Sequence, residues 1–147
     1  MHLVIDIGNT SAKIAVFSQG EMINVVRSSN QSLEGLDELC QQYPIKKGIW
    51  ASVISISKDI QQQLQQLPFP MTEFTYQTPI PIRNLYKTPQ TLGVDRLAAV
   101  IAAYTQKPHH PALVIDAGTC ITYDFIDEFG QYQGGNISPG MEMRFKA

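Results

Sequence analysis

Short apolar, β-branched runs that end in Asp-x-Gly organise the chain, because the run at its start returns 110 positions later. Leu3–Gly8 reads LVIDIG, and Leu113–Gly118 reads LVIDAG. A small polar turn and a second strand-like run follow each copy, at Ala12–Phe17 and Cys120–Phe125. The pattern predicts two β-hairpins, each with an aspartate where a buried strand ends and a glycine where the backbone turns.

The hydrophobic pattern between the hairpins predicts further strands and helices. Met22–Arg27 can add a third antiparallel strand to the first hairpin, and strands are also predicted at Ile45–Ile54 and Met71–Thr75. Apolar residues at helical spacing predict helices from a cap at Ser32 to a stop at Tyr43-Pro44, over Ser57–Leu67, and over the alanine-rich Leu92–Tyr104. We interpret the proline-containing segment Tyr76–Pro89 as an ordered loop.

The repeat predicts a duplicated α/β fold with two units, residues 1–110 and residues 111–147. The first unit has its full set of strands and helices, whereas the second has room only for a few strands and the beginning of a helix. We therefore expect the second unit to be incomplete within this sequence, with part of its apolar sheet uncovered. An antiparallel three-stranded start followed by helix, strand and helix is the order of actin-like and sugar-kinase domains.

Composition and charge exclude several classes of protein. The chain has 44% hydrophobic residues, 16% charged residues and a net charge of -2, which is ordinary for a soluble domain. The chain has eleven Lys and Arg residues and thirteen Asp and Glu residues, and the basic residues form no continuous run. We therefore expect no nucleic-acid partner and no membrane partner. The first residues lack a basic segment before a long apolar run, which predicts a cytoplasmic protein. Cys40 and Cys120 are isolated and are interpreted as reduced thiols.

The first Asp-x-Gly turn has the residue types of a nucleotide phosphate site. Asp6 could hold Mg²⁺, Gly8 allows close approach, and Lys13 supplies a cation beside hydroxyl and amide donors. A single Asp-x-Gly-Asn run is more often a turn whose side chains bond their own backbone. The second copy, Asp116–Thr119, favours the functional interpretation, because unrelated turns have no reason to repeat at a constant offset. The hypothesis is a phosphate site to which both halves contribute.

The segment Thr91–Arg96 at the start of the alanine-rich helix has two interpretations. Thr91 could be the N-cap and Asp95 a first-turn acid that the helix dipole favours. Alternatively, Asp95 is a base that takes a hydroxyl proton while Arg96 binds a substrate oxygen or carboxylate. The residues alone leave both interpretations open.

A third glycine cluster, Gly134–Gly140, also has two interpretations. The paired glycines could form a bend before a helix, which is the commoner case. Alternatively, Gly134 and Gly135 let a ligand lie against bare backbone, and Ser138 caps a helix whose N-terminus faces an anion.

Four stretches in this order, DIGNTSAK, TLGVDR, DAGTCITYD and GGNISPGM, resemble the type III pantothenate kinase family, also called the Bvg accessory factor family. The resemblance covers the whole chain, but the chains of the family continue past its last residue. It implies a duplicated actin-like fold of the acetate and sugar kinase, Hsc70 and actin type, ribonuclease H-like, with a mixed sheet and helices. It also implies ATP-dependent phosphorylation of pantothenate to 4'-phosphopantothenate, the first step of coenzyme A synthesis.

The resemblance also implies roles for individual residues. Asp95 corresponds to the proton acceptor, Asp6 to the Mg²⁺ ligand, and Asp116 to the ligand of a monovalent cation, K⁺ or NH₄⁺. A homodimer is implied as well. The implied ATP contacts are Asp6, Ile7, Gly8, Asn9, Thr10, Ser11, Ala12, Lys13 and Thr119, and the implied pantothenate contacts are Tyr86, Gly93, Val94, Asp95 and Arg96.

Other functions remain as alternatives at this stage. Another kinase or phosphatase of the same fold could act on a sugar, acetate or polyphosphate, although the TLGVDR and GGNISPG stretches speak against it. A transcriptional accessory factor would need a basic face or a helix-turn-helix, which the sequence does not suggest. A third alternative is a structural half without activity of its own.

Overall fold

A computed structural model describes residues 1–146, which form two compact units. The first unit ends at Thr75 and the second begins at Tyr76. The boundary predicted at residue 110 is the point where the sequence repeat begins. The compact units are instead defined by contacts within each unit, and by this criterion residues 76–110 belong to the second unit. The bounds of the repeat stay a prediction.

The first unit is a five-stranded mixed sheet with two helices. The sheet has the order β3-β2-β1-β4-β5; β1, β2 and β3 pair antiparallel, and β4 and β5 continue the sheet parallel to β1. This order confirms the predicted meander and the mixed sheet. The elements are β1 (His2–Ile7), β2 (Ala12–Ser18), β3 (Glu21–Ser28), α1 (Leu36–Gln42), β4 (Lys47–Ser52), α2 (Lys58–Gln65) and β5 (Met71–Glu73).

The spacing of apolar residues along the strands and helices explains the core of the first unit. Leu3, Ile5 and Ile7 alternate along β1 and point to one face of the sheet, where they are almost fully buried. The apolar stripes of α1 and α2 pack in the same hydrophobic cluster, with Leu39 and Ile60 among them. Each such side chain contributes about 1.5–3 kcal/mol by leaving water.

One helix start in the first unit differs from the prediction, and another confirms it. The helix predicted from Ser32 begins only at Leu36, because Gly35 takes a left-handed conformation (φ 86°) at the N-cap position. The Ser32 hydroxyl instead donates to a carboxylate oxygen of Glu34 at 3.0 Å. Ser57 does cap α2, since its Oγ accepts the N–H of Ile60 at 3.2 Å.

The second unit repeats the antiparallel three-stranded start of the first. Its sheet has the order β6-β9-β8-β7, and one helix, α3, packs on β7 and β8. The strands β7, β8 and β9 form a meander, as β1, β2 and β3 do. The elements are β6 (Arg83–Asn84), a 3₁₀ turn (Pro89–Thr91), α3 (Val94–Gln106), β7 (Ala112–Ala117), β8 (Cys120–Ile126), β9 (Gln131–Pro139) and α4 (Met141–Lys146).

The structure departs from four local predictions for the second unit. Thr91 lies in the 3₁₀ turn and does not cap α3, whose N-cap is Gly93. The glycines of the third cluster do not form a bend before a helix, because β9 runs through Gly134 and Gly135. Ser138 is a strand residue, and α4 begins only at Met141. The segment predicted as a loop before α3 contains the short strand β6.

The outer face of the second sheet is apolar and exposed. Leu113, Ile115 and Phe125 are 61%, 57% and 42% exposed, and Leu113 pairs with Phe125 in the ladder. Their counterparts in the first unit, Leu3 and Ile5, are covered by α1 and α2. The predicted uncovered sheet is thus confirmed for residues 1–146. Within the same range, no helix is long and apolar enough to span a bilayer.

Candidate functional site

The first Asp-x-Gly turn is closed by its own backbone. Gly8 follows β1 directly, and its N–H donates to the carbonyl of Ser11 at 3.0 Å. Asp6 pairs with Lys13 across the hairpin, and their charged atoms are 3.9 Å apart. Both side chains are about half exposed. An anion at this turn would therefore meet a cation and backbone donors beside one carboxylate.

Asn30 holds this turn from outside the hairpin. Its side-chain amide donates to the carbonyl oxygens of Gly8 at 3.0 Å and Asn9 at 2.9 Å. The two hydrogen bonds fix carbonyls that the hairpin ladder does not use. Sequence reasoning missed Asn30, and nothing in its sequence context distinguishes it from a loop asparagine.

Gly140 contacts the second Asp-x-Gly turn, whereas Asn30 contacts the first. The N–H of Gly118 donates to the carbonyl of Cys120 at 2.9 Å, which closes the turn much as in the first copy. The N–H of Gly140 donates to the carbonyl of Thr119 at 2.9 Å. A Cβ atom at position 140 would collide with the carbonyl oxygens of Gly118 and Thr119. Gly140 therefore lets the end of β9 lie directly against the turn.

The two turns differ in the charge that surrounds each aspartate. Asp116 faces Thr122 in the ladder, where Asp6 faces Lys13. Among the described residues, no group of three or more His, Cys, Asp or Glu side chains could hold a metal ion by itself. Mg²⁺ commonly takes one or two carboxylates and completes its shell with phosphate oxygens and water, so a single carboxylate beside a phosphate turn fits that ion.

Asp95 lies in the first turn of α3 and is exposed. Its Oδ1 accepts the backbone N–H of Arg96 at 2.8 Å. A Cβ atom built on Gly93 would lie 2.5 Å from the same Oδ1, so the absence of a side chain at Gly93 leaves room for the carboxylate. An exposed carboxylate fixed in this way can accept a proton, and it can equally interact with the helix dipole.

The guanidinium of Arg96 is bound inside the protein. Its Nε lies 3.1 Å and 3.0 Å from the two carboxylate oxygens of Asp124, and its Nη2 lies 2.6 Å from Oδ1. Arg96 is 6% exposed and Asp124 is 1% exposed. The hydrogen bond to Asp124 raises the pKa of Arg96. The predicted contact between Arg96 and substrate stays a prediction.

A buried tyrosine completes this ion pair. The hydroxyl of Tyr132 on β9 donates to Oδ1 of Asp124 at 2.5 Å. Burial, together with that hydrogen bond to the carboxylate, raises the pKa of Tyr132 well above its ordinary value. Neither Asp124 nor Tyr132 was identified from the sequence, although a lone buried aspartate in a β-rich run is the kind of polar residue that needs a partner.

Tyr86 lies against the same cluster. Its ring is parallel to that of Tyr132 within 6°, with centroids 6.2 Å apart, and the guanidinium carbon of Arg96 is 5.9 Å from the Tyr86 centroid. Gly134, with φ +108°, lies next to the ring: a Cβ atom there would be 3.4 Å from Cδ2 of Tyr86. Gly134 thus leaves room for a protein side chain. At Gly135, a Cβ atom would collide with the backbone carbonyl of Tyr123 and also with Oδ1 of Asp124, so this glycine lets the backbone of β8 approach closely.

The structure brings together one part of the predicted site. Tyr86 and the first turn of α3, with Gly93, Val94 and Asp95, lie around the Arg96–Asp124 pair in the second unit. Thr119 and Asp116 belong to the turn of the same unit. The residues from Asp6 to Lys13 belong to the first unit. The roles assigned to all these residues stay predictions.

A groove in the first unit does not coincide with these residues. It has a volume of about 750 Å³ and lies beside α2 and the ends of β4 and β5. Its lining includes Trp50, Gln61 and Phe69 and none of the predicted site residues.

Comparison with known proteins places the chain in a family. Residues 2–147 match the family model described as type III pantothenate kinase. A type III pantothenate kinase of Phocaeicola vulgatus is 63% identical over 147 residues, covering 100% of this chain and 61% of the relative. The corresponding proteins of Bacteroides fragilis strain ATCC 25285 and Porphyromonas gingivalis are 54% and 35% identical, covering 100% and 99% of this chain and 60% and 59% of those relatives. The chain therefore spans about 60% of the length of these curated relatives.

Solved structures confirm the fold class. An activator of 2-hydroxyisocaproyl-CoA dehydratase from Clostridium difficile, with bound ADPNP, has a TM-score of 0.51 and 12% identity, covering 94% of this chain and 45% of that one. A putative 2-dehydro-3-deoxygalactonokinase from Sinorhizobium meliloti has a TM-score of 0.50 and 12% identity, and the match covers 93% of this chain and 54% of that one. At such identity the likeness concerns the fold alone, which is the predicted duplicated actin-like fold.

Proposed function

Because the chain belongs to the type III pantothenate kinase family, we propose that the complete protein transfers the γ-phosphate of ATP to pantothenate, giving 4'-phosphopantothenate for coenzyme A synthesis. The match over residues 2–147 carries this proposal. The geometry supports it, because both Asp-x-Gly runs form closed hairpin turns with exposed backbone near a carboxylate.

The two turns have the chemistry that phosphoryl transfer needs. In this reaction the protein mostly positions the reactants and neutralises charge. Residues Asp6–Lys13 would hold phosphate oxygens through backbone N–H groups, the Thr10 and Ser11 hydroxyls and the Lys13 ammonium. Thr119 would contact ATP from the second turn. A fixed turn suits this task, since donors that are already oriented lose little entropy when the phosphate binds.

Asp95 would accept the proton of the pantothenate hydroxyl. Its carboxylate is exposed and held by the N–H of Arg96, so it can meet a substrate without breaking a buried contact. In a loose transition state the hydroxyl proton becomes acidic late, and an ionised carboxylate within hydrogen-bond distance is sufficient. Tyr86, Gly93 and Val94 would line the pantothenate subsite around it.

Two different cations would serve the two turns. Asp6 would bind Mg²⁺ together with phosphate oxygens, and Asp116 would bind K⁺ or NH₄⁺; both are hard ions that prefer oxygen ligands. Mg²⁺ supplies charge neutralisation on the transferred phosphoryl group when bound. The two turns also differ in local charge, because Asp116 faces Thr122 where Asp6 faces Lys13, and the resemblance assigns which ion belongs to which turn. A homodimer in the cytoplasm is proposed from the family resemblance alone.

A direct assay tests this function. The complete protein is incubated with ATP, Mg²⁺, K⁺ and pantothenate, and phosphopantothenate is sought by mass spectrometry. Its formation, dependent on both ATP and pantothenate, is the expected result. Absence of this product alongside clear phosphorylation of a sugar would instead support another kinase of the same fold.

A further inference from the structure

We infer that Arg96, Asp124 and Tyr132 form a buried positioning cluster, which holds Tyr86 and the Asp95 turn in place for pantothenate rather than contacting it. This inference rests on the proposed function and deepens it. It assigns roles to Asp124 and Tyr132; the first ends the stretch DAGTCITYD, but neither residue was given a role from the sequence. It also changes the role of Arg96 from a ligand of substrate to a support of the site.

The first step of the argument is the burial of Arg96 and its pairing with Asp124. Two of its three guanidinium nitrogens bind Asp124, and only 6% of the residue is exposed. Removing a buried guanidinium from its carboxylate to bind a substrate would leave Asp124 as an unpaired buried charge. A substrate oxygen would have to compensate for that loss before adding any affinity. The geometry therefore favours a permanent internal pair.

The second step is the connection that the cluster makes between elements. Arg96 belongs to α3, Asp124 to β8 and Tyr132 to β9, so the cluster ties the start of the helix to two strands. Arg96 follows Asp95 directly and donates its backbone N–H to the Asp95 carboxylate. Fixing the Arg96 side chain on the sheet thus fixes the first turn of α3, and with it the direction of the Asp95 carboxylate.

The third step concerns Tyr86. Tyr132 stacks parallel to it, Arg96 lies near its ring, and Gly134 leaves its ring room on the strand side. Cation–π and stacking contacts of this kind orient an aromatic ring. Tyr86 is only half-buried, so part of it is left to meet a ligand. The cluster thereby places the two predicted substrate-facing side chains, Tyr86 and Asp95, from one buried centre.

A double-mutant cycle on the complete protein tests the inference. Arg96→Lys, Asp124→Asn and the double variant are compared for the KM of pantothenate, the KM of ATP and kcat. If Arg96 acts only through Asp124, each single variant raises the pantothenate KM by roughly tenfold and the double variant adds little to either. The ATP KM changes much less. If Arg96 binds substrate directly, Arg96→Lys raises the pantothenate KM much more than Asp124→Asn does, which would overturn the inference.

Two further variants separate positioning from general loss of stability. Tyr132→Phe keeps the stacked ring and removes the hydroxyl, whereas Tyr132→Leu removes the ring as well; the pantothenate KM should rise more for the second. Val100→Ala, which also removes buried atoms from α3, is the matched control for destabilisation. An equal rise in pantothenate KM for Val100→Ala at equal loss of melting temperature would show that the cluster is merely structural.

A substrate-independent measurement keeps this inference distinct from the proposed function. The ring-proton resonances of Tyr86, assigned by comparison with Tyr86→Phe, are recorded without ligand in the wild type and in Tyr132→Leu. We expect a clear shift, since the stacked ring current is lost. Unchanged resonances would refute the inference even if the enzyme phosphorylates pantothenate. A shift in a protein that does not phosphorylate pantothenate would refute the proposed function and leave the cluster as the support of Tyr86.

Discussion

The carboxylate of Asp95 lies so close to Gly93 that a Cβ atom on the glycine would be 2.5 Å from its Oδ1. The backbone of Gly93 has φ -57° and ψ 127°, a conformation open to any residue. The glycine is therefore needed for space rather than for an unusual backbone angle. A substitution at Gly93 can therefore displace the Asp95 carboxylate without straining the backbone.

Asp95→Asn should abolish turnover while leaving ATP binding almost intact. The amide keeps the size of the side chain but cannot accept the hydroxyl proton, and loss of a general base costs about 10²–10⁴-fold in kcat. If Asp95 serves only the helix dipole, the substitution should cost roughly 0.3–1 kcal/mol of stability and leave the rate nearly unchanged. Measuring kcat and the melting temperature of the same sample distinguishes the two.

Gly93→Ala should reduce kcat although the new residue fits the backbone. The added methyl group must push the Asp95 carboxylate aside, and a displacement of about 1 Å in a reacting group can cost as much as 100-fold in rate. The melting temperature should change little. A variant with normal kcat would show that the observed position of the Asp95 carboxylate is not the one used in the reaction.

Asp116→Ala should remove the response to K⁺, whereas Asp6→Ala should mainly weaken the response to Mg²⁺. The expectation follows from the two turns, each of which carries one aspartate at the end of its strand. Initial rates are measured while one cation is varied and the other is held constant. An Asp116→Ala enzyme with the K⁺ activation curve of the wild type would refute the assignment of that ion.

Asn30→Ala should raise the KM for ATP several-fold, because the first turn loses both hydrogen bonds that fix its carbonyls. Loss of two such bonds should cost about 1–3 kcal/mol of unfolding free energy. Asn24→Ala is the matched control, since Asn24 makes one side-chain hydrogen bond, to Tyr43, in the same unit. Equal effects of both substitutions on the KM for ATP would argue against a role for Asn30 in the turn.

Tyr132 should make stability depend on alkaline pH. Burial and the hydrogen bond to Asp124 raise its pKa in the folded state above the ordinary value of 10.0. The unfolded chain loses this proton near pH 10, whereas the folded chain keeps it, so the unfolding free energy falls as the pH rises above about 10. Urea unfolding at increasing pH should show this fall in the wild type and a smaller one in Tyr132→Phe. Equal slopes in the two proteins would contradict the assignment.

The repeat allowed much of the fold to be predicted from the sequence. The spacing of hydrophobic residues predicts the hairpins, the strands and the helical segments. Ser57 shows that a helix cap can also be identified from local residue types. Helix starts were less predictable at Ser32 and Thr91. In each case a nearby glycine, Gly35 or Gly93, supplies the N-cap backbone instead.

The candidate site was predictable only where its chemistry lies within one stretch of sequence. The Asp-x-Gly turns and the Asp95 segment are local patterns. The partners of Arg96 are 28 and 36 positions further along the chain, at Asp124 and Tyr132, and pairing across strands decides which polar groups meet in the core. The same holds for Gly134, whose neighbour Tyr86 lies just after the short strand β6, far from Gly134 in the sequence.

Within residues 1–146, β1 and β7 have nearly identical sequences but unequal neighbours, which predicts different amide exchange for the two strands of this chain. β1 lies between β2 and β4, so amides on both of its sides have hydrogen-bond acceptors. β7 is at the edge of its sheet within residues 1–146, and an edge strand directs every second amide away from its partner. Those amides should exchange with solvent faster than their counterparts in β1. In this chain of 147 residues, we therefore expect the strand that precedes the second Asp-x-Gly turn to open locally at a lower cost than the strand that precedes the first.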